Sequence, residues 1–191
     1  MIDLLAVNTP THIAAGVWIA QMVMLRWSTT SVWRRIGAGA VCFAGGLITH
    51  LALDALPHFA WVIYLPVLES LPFHWLIREG LLATVVAIPL FYVTRAIWPY
   101  AVLAMCGALY PDAEKVAAAD LNVSPHWIIF KQHSIQLSSN DGGLPHCILI
   151  ATEIAITAAF IIATMLLARI HGRTNGTSSQ KSLKPGHGLF L

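Results

Sequence analysis

The amino-acid sequence predicts an all-α fold, a polytopic membrane bundle of about five embedded helices, three of them short. Three observations lead there. The 191 residues are 57% hydrophobic and only 10% charged, whereas soluble domains carry roughly 25% charged residues. The apolar residues fall into five segments, Thr11–Leu25, Ile36–Leu56, Gly80–Thr94, Ala96–Tyr110 and Leu144–Ala168, separated by polar punctuation. Lysine and arginine gather at alternate ends of those segments, as they do in membrane proteins. Other classes are excluded by the same composition. A disordered chain would be poorer in apolar residues, and a nucleic-acid binder would show a basic face, whereas 11 Lys+Arg against 9 Asp+Glu leave a net charge of +2.

The second and fifth segments, at 21 and 25 residues, reach the ~20 needed to cross a hydrocarbon core. The other three have 15 residues each and span only about 22 Å as helices, so they are expected to tilt, to lean on flanking aromatics, or to be partly re-entrant. Pro89 is expected to kink the third helix and Pro99 to start the fourth, where a missing N–H costs nothing. The N-terminus Met1-Ile2-Asp3-Leu4-Leu5 has no basic region and no small-residue cleavage site, so the first apolar segment is expected to be retained. Residues 1–171 form the membrane domain in this reading. Its longest polar stretch is an outer-face loop region at 112–143 containing a short helix at Asp112–Leu121. From Gly172 a Gly/Ser/Thr/Lys-rich tail reads as flexible and cytoplasmic. Cys42, Cys106 and Cys147 lack the paired spacing of a disulfide framework or a zinc knuckle and read as small buried hydrophobes.

Orientation follows from the basic residues. Arg26, Arg34, Arg35, Arg95, Arg169, Arg173, Lys181 and Lys184 fall on one side, and only Arg78, Lys115 and Lys131 on the other. Because Lys and Arg in short loops stay cytoplasmic, the N-terminus is expected outside and the C-terminus inside. Trp27, Trp33 and Trp98 would form the inner aromatic belt, with Trp61, Trp75 and Trp127 in the outer one.

On that topology the remaining polar residues gather at one face. His12 begins the first helix, His50, Asp54 and His58 end the second, Asp112 ends the fourth, His126 and His133 follow it, and His146 and Glu153 begin the fifth. All nine acids lie on that side, and only His171 and His187 lie on the other. The sharpest local signal is His50-Leu-Ala-Leu-Asp54-Ala-Leu-Pro57-His58. At ~3.6 residues per turn its three polar residues stack on one helix face, so an imidazole and a carboxylate can reach the same ion. A carboxylate at that depth needs a counter-charge, and mixed imidazole and carboxylate donors suit zinc best, with manganese or iron as substitutes. The simpler alternative is a hydrogen bond from His50 to Asp54 that only helps to pack the second helix.

Thr11-His12 at the start, His-x-x-x-Asp-x-x-Pro-His in the second helix, Gly107-Ala108-Leu109-Tyr110-Pro111-Asp112, His133-Ser134 and a late Glu153 together resemble bacterial inner-membrane proteins of the predicted metal-dependent hydrolase group. Those proteins are similar in motif style to the all-helical zinc phospholipase C and single-strand nuclease superfamily. The resemblance covers Thr11 to about Glu153 as scattered short motifs. It departs at Glu114, where the membrane branch has a second Asp after Pro-Asp, and at Lys131-Gln132-His133-Ser134, where that branch has His-Arg-Gly leading to Thr-His-Ser. The order of the motifs also differs, since the branch places its His-x-x-x-Asp last. What the resemblance implies is a zinc or manganese site with His12, His50, Asp54, Asp112 and His133 as ligands and Glu153 as ligand or supporting partner. His58, His126 and His146 come next, as outer ligands or proton carriers. Asp54 or Glu153 would take the proton of an attacking water, and the substrate would be a phosphoester or phospholipid met at the outer membrane face.

Two other functions fit the same polar residues. A non-catalytic membrane subunit could use its histidines to bind haem or a pigment, or to pack against partner subunits, although pigment ligation favours isolated histidines deep in long helices. A small transporter could use the His/Asp pairs as a proton relay, which would favour charged groups on both sides of the midplane and repeat symmetry.

Overall fold

Ser31 caps the start of the second helix by accepting a hydrogen bond from the Arg34 amide at 3.3 Å. Local signals of this kind, together with long apolar runs, produce a helical chain. The computed structural model describes residues 9–27, 30–56, 74–120, 129 and 145–181. Among them are five α-helices: α1 (Thr9–Arg26), α2 (Val32–Asp54), α3 (His74–Val93), α4 (Trp98–Asp120) and α5 (His146–Lys181), with a 3₁₀ turn at Arg95–Ile97 between α3 and α4. No strand occurs among the described residues.

Side-chain register sets the directions of the helices. His12 meets Asp54, Ile19 meets Gly45 and Trp27 meets Gly37, so α1 and α2 form an antiparallel hairpin. Gly39 meets Leu103, Phe43 meets Gly107 and His50 meets Ala108, so α2 and α4 run parallel. Thr11 meets Thr157 and Trp18 meets Phe160, so α1 and α5 also run parallel. The start of α1, the end of α2, the later half of α4 and the start of α5 therefore share one end of the bundle.

The helix at the centre is α1, which packs against each of the other four. Ten of its 18 residues are buried. The interior is built from small side chains, with Ala14, Ala15, Ala20, Ala38, Ala104 and Ala108 fully enclosed, while Ile36, Ile48, Val85, Ile88, Ile154 and Ile162 point outward. Small residues inside and large apolar ones outside suit a lipid environment, where close backbone packing replaces the hydrophobic drive between helices. The closest approach is between α2 and α4. A Cβ on Gly46 would strike the Ala104 carbonyl oxygen, and one on Gly107 would strike the Phe43 carbonyl oxygen.

Two helical stretches, Val32–Asp54 and Cys147–Ile170, are long and apolar enough to cross a membrane, and a third candidate is the pair Gly80–Val93 and Arg95–Glu114, bent by 87°. Among the described residues the chain is thus all-helical with two candidate membrane spans, or three if the bent pair is one broken or re-entrant span. The three helices expected to be short are longer, at 18, 20 and 23 residues for α1, α3 and α4. Both internal prolines, Pro89 and Pro111, lie inside helices; Pro111 is fully buried, and packing of α4 on its neighbours offsets the ~3 kcal/mol that one proline costs.

Asp112 accordingly does not end the fourth helix. It lies within α4, which continues to Asp120 through most of the expected separate helix at Asp112–Leu121. Likewise α5 continues to Lys181, past the Gly172 at which a flexible tail was expected. A helix already nucleated loses only about 1 kcal/mol or less for each poor helix former it takes in. Of the three cysteines only Cys42 is buried, and Cys106 and Cys147 face outward.

Glycine substitutions check the α2–α4 contact. Gly107→Ala is expected to lower stability by about 1–3 kcal/mol through overpacking, whereas Gly80→Ala, with nothing within 4 Å of the added carbon, should raise it by roughly 0.5–1 kcal/mol. Thermal unfolding of the two variants in the same detergent measures the contrast.

Candidate metal centre

The shared end of the bundle collects the buried histidines and acids of the described residues. His12 and Thr11 come from the first turn of α1, His50 and Asp54 from the last turns of α2, Asp112 and Glu114 from α4, and Glu153 from α5, and all of them are buried. The one-turn spacing of His50 and Asp54 puts both on the same face of α2. The antiparallel hairpin then lays His12 against that face.

Asp54 is the centre of the cluster. Its Oδ1 lies 3.1 Å from His12 Nε2, and its Oδ2 lies 3.3 Å from His50 Nε2. The two imidazoles stack, with ring centroids 4.1 Å apart and planes inclined by 28°. On its other side His50 Nδ1 donates to the Ala108 carbonyl oxygen at 2.6 Å and lies 3.8 Å from Asp112 Oδ2. Thr11, next to His12, donates to Glu153 Oε1 at 3.3 Å and shares a 2.6 Å hydrogen bond with Thr157.

These contacts decide where one proton resides. A carbonyl oxygen can only accept, so His50 Nδ1 carries hydrogen. In the neutral ring Nε2 therefore presents a lone pair to a carboxylate oxygen 3.3 Å away. Two electron pairs facing each other in an apolar interior require positive charge between them. A proton on the ring or a bound cation can supply it.

The geometry suits a cation. Ligand atoms of His12, His50 and Asp54 all lie within 4.8 Å of one another. Two donors on one tetrahedral zinc ion, at ~2.0–2.1 Å each, sit about 3.3 Å apart, close to the 3.1 and 3.3 Å separations found here. Histidines that ligate metals commonly donate their outer N–H to a carbonyl or carboxylate, and His50 has Ala108 in that position. Among the described residues, His12 Nδ1 is buried without a hydrogen-bond partner, as is Asp112 Oδ2.

Of the residues singled out from the sequence, the fold brings His12, His50 and Asp54 together, sets Asp112 behind His50, and ties Glu153 to the cluster through Thr11. His58, His126 and His133 lie outside the described residues, and His146 opens α5. In the sequence Gly107 and Ala108 stand out only as part of a motif and Glu114 only as a departure from one, while Gly46 and the Ala108 carbonyl carry no signal of a role at the site. The Gly-Ala pair at Gly107-Ala108 and the Gly-Gly pair at Gly45-Gly46 are the signals that small-residue helix contacts leave in a sequence. No protein-family model, curated protein or solved structure matches the chain.

Hydroxyl deletions test the link to α5. Thr11→Val is expected to cost about 1 kcal/mol or more, since it removes a buried hydrogen-bonding group from Glu153 and Thr157. Thr152→Val, which removes an exposed hydroxyl bonded to the Ile148 carbonyl of its own helix, should stay within about 0.5 kcal/mol of the parent. Chemical or thermal unfolding of the pair reads the difference.

Proposed function

We propose that the cluster binds a divalent metal, zinc or manganese, and that the protein is a membrane-embedded hydrolase acting on a phosphoester or phospholipid-type substrate. The observation that carries this reading is the arrangement of His12, His50 and Asp54, with His50 oriented from behind by the Ala108 carbonyl. Two imidazoles and one carboxylate, with a further coordination position open, are the donor set of a catalytic rather than a structural zinc site. Bound there, the metal would supply a water of lowered pKa and polarise a phosphoryl oxygen.

The chain's own residues have separate parts in this reading. His12 and His50 hold the ion through nitrogen. Asp54 bridges the two imidazoles and either completes the donor set or takes the proton of the attacking water. Glu153, positioned by Thr11 on the α5 side, is the second candidate base. Asp112 lies behind His50 and adds negative charge that strengthens its imidazole as a donor. His58 and His133 are proposed as further ligands from the segments that follow α2 and α4.

The basic ends of the helices support an orientation with the cluster at the outer face of a bacterial inner membrane and the C-terminus in the cytoplasm. At that depth the substrate arrives as a lipid head group or a soluble phosphoester from the outer compartment. The sharing of one carboxylate by two stacked imidazoles favours this reading over haem or pigment ligation, in which each histidine would stand apart.

Elemental analysis of detergent-purified protein should find zinc or manganese at a stoichiometric level, lost in His50→Ala and Asp54→Ala. Hydrolysis of a generic phosphodiester or phospholipid should fall by 10²-fold or more, on the order of one lost metal ligand or base, in the same variants. A folded, active sample without metal would sink the proposal. Topology has its own measurement. In a chain with its native cysteines replaced, thiols introduced at Ser31 and Leu56 should be labelled from opposite sides of sealed vesicles.

A further inference from the structure

We propose that the end of the bundle opposite the His/Asp cluster is a binding site for the head group of an anionic phospholipid. The register of the helices brings five arginines to that end from four separate places. Arg26 ends α1 and is exposed, and Arg34 and Arg35 lie exposed in the first turn of α2, just across the hairpin connection. Arg95 opens the 3₁₀ turn before α4. Since Gly39 meets Leu103, stepping back one turn on both helices puts Arg35 level with Pro99, a few residues from Arg95. Trp18 meets Phe160 on the parallel pair α1 and α5, and continuing eight or nine residues along each brings Arg26 level with the exposed Arg169.

The aromatic residues at this end match an interface with lipid. Trp27 is 38% exposed, Trp98 50% and Trp33 81%. The Trp27 indole donates to the Arg34 carbonyl at 2.9 Å and lies over Gly37, where an added Cβ would meet its ring at 3.4 Å, which ties the end of α1 to the start of α2 with arginines on either side. Arg95 lies 5.3 Å from the ring centre of Tyr92, a cation–π contact that holds its guanidinium near the surface. Amphipathic aromatic rings settle at head-group level, so the guanidiniums lie at the depth of the lipid phosphates.

Charge complementarity selects the occupant. The stretches Arg26–Arg35 and Thr94–Trp98 contain no Asp or Glu, and the buried acids Asp54, Asp112, Glu114 and Glu153 lie at the other end. A guanidinium donates two parallel hydrogen bonds to a phosphate, a geometry an ammonium cannot match. The five basic groups that the register brings level here are all arginine, with Arg173, Lys181 and Lys184 further along the chain. A head group with net negative charge, such as phosphatidylglycerol, is favoured over a zwitterionic one, whose own cation the cluster repels. This site is independent of the metal centre, because no residue belongs to both.

The test uses the full chain in neutral detergent, titrated separately with phosphatidylglycerol, phosphatidylcholine and inorganic phosphate. Retained lipid is read by native mass spectrometry and protection by thermal unfolding. Phosphatidylglycerol should be retained and raise the unfolding temperature, and neither phosphatidylcholine nor inorganic phosphate should do so. Lipid affinity should drop about fivefold for each arginine removed in Arg26→Gln, Arg34→Gln, Arg95→Gln and their combination. If the combined variant fails to fold, the parent chain still decides the matter, since salt at 1 M, where the Debye length is about 3 Å, should release the lipid. Equal retention of the two lipids, retention unchanged by salt or by the single variants, or saturation by inorganic phosphate alone would overturn the proposal.

Discussion

The contact on which the rest of the molecule depends is the one between the backbones of α2 and α4. Gly46 and Gly107 let each helix lie against a carbonyl of the other, at a distance that any larger residue would block. One turn beyond Gly46 stands His50, and one residue beyond Gly107 stands Ala108. The hydrogen bond between that imidazole and that carbonyl is therefore a product of helix packing. Widening the crossing by the radius of a methyl group would take the carbonyl out of reach, and with it the constraint on which nitrogen carries hydrogen. The fold and the chemistry of the site thus rest on the absence of two side chains.

Burial gives the polar cluster its character. In water a histidine pair beside an aspartate would interact weakly, but the low dielectric of an alanine-lined interior magnifies both attraction and repulsion. Asp54 serves two stacked rings at once, and Asp112 stands behind one of them. Such a group is costly to assemble unless each charge is matched. Most of the arginines are kept at the far end of the same helices, and inside the cluster itself positive charge can come from the imidazoles or from a ligand.

Much of this was legible in the sequence where the evidence is local. His50 and Asp54 share a helix face because four residues make about one turn, and the basic residues order the helix ends without any knowledge of packing. His12, Asp112 and Glu153 were placed at the same depth by topology alone, and their helices do converge. Contacts between helices were not legible. Nothing in the run Thr9–Arg26 announces that α1, a moderately apolar helix, is the hub, because centrality is a property of the other helices' faces as well as its own. Pro111 reads as the end of a helix when only intrahelical hydrogen bonds are counted, yet neighbours on α2 carry α4 through it. The hydroxyl of Thr11 was noted as part of a motif, but its role as the tie between α1 and Glu153 depends on the facing of α5, which spacing along one chain does not encode.

The three residues with converging donor atoms, His12, His50 and Asp54, all belong to the α1–α2 hairpin, within the first 54 residues. Their supports, Ala108, Asp112 and Glu153, arrive later in the chain on α4 and α5. During synthesis, which proceeds from the N-terminus, these three donors are in place before the residues that orient and charge them exist. Holding and tuning are thereby assigned to different stretches of polypeptide. Changes in α4 and α5 can then alter the reactivity of the centre while the hairpin that defines it stays the same.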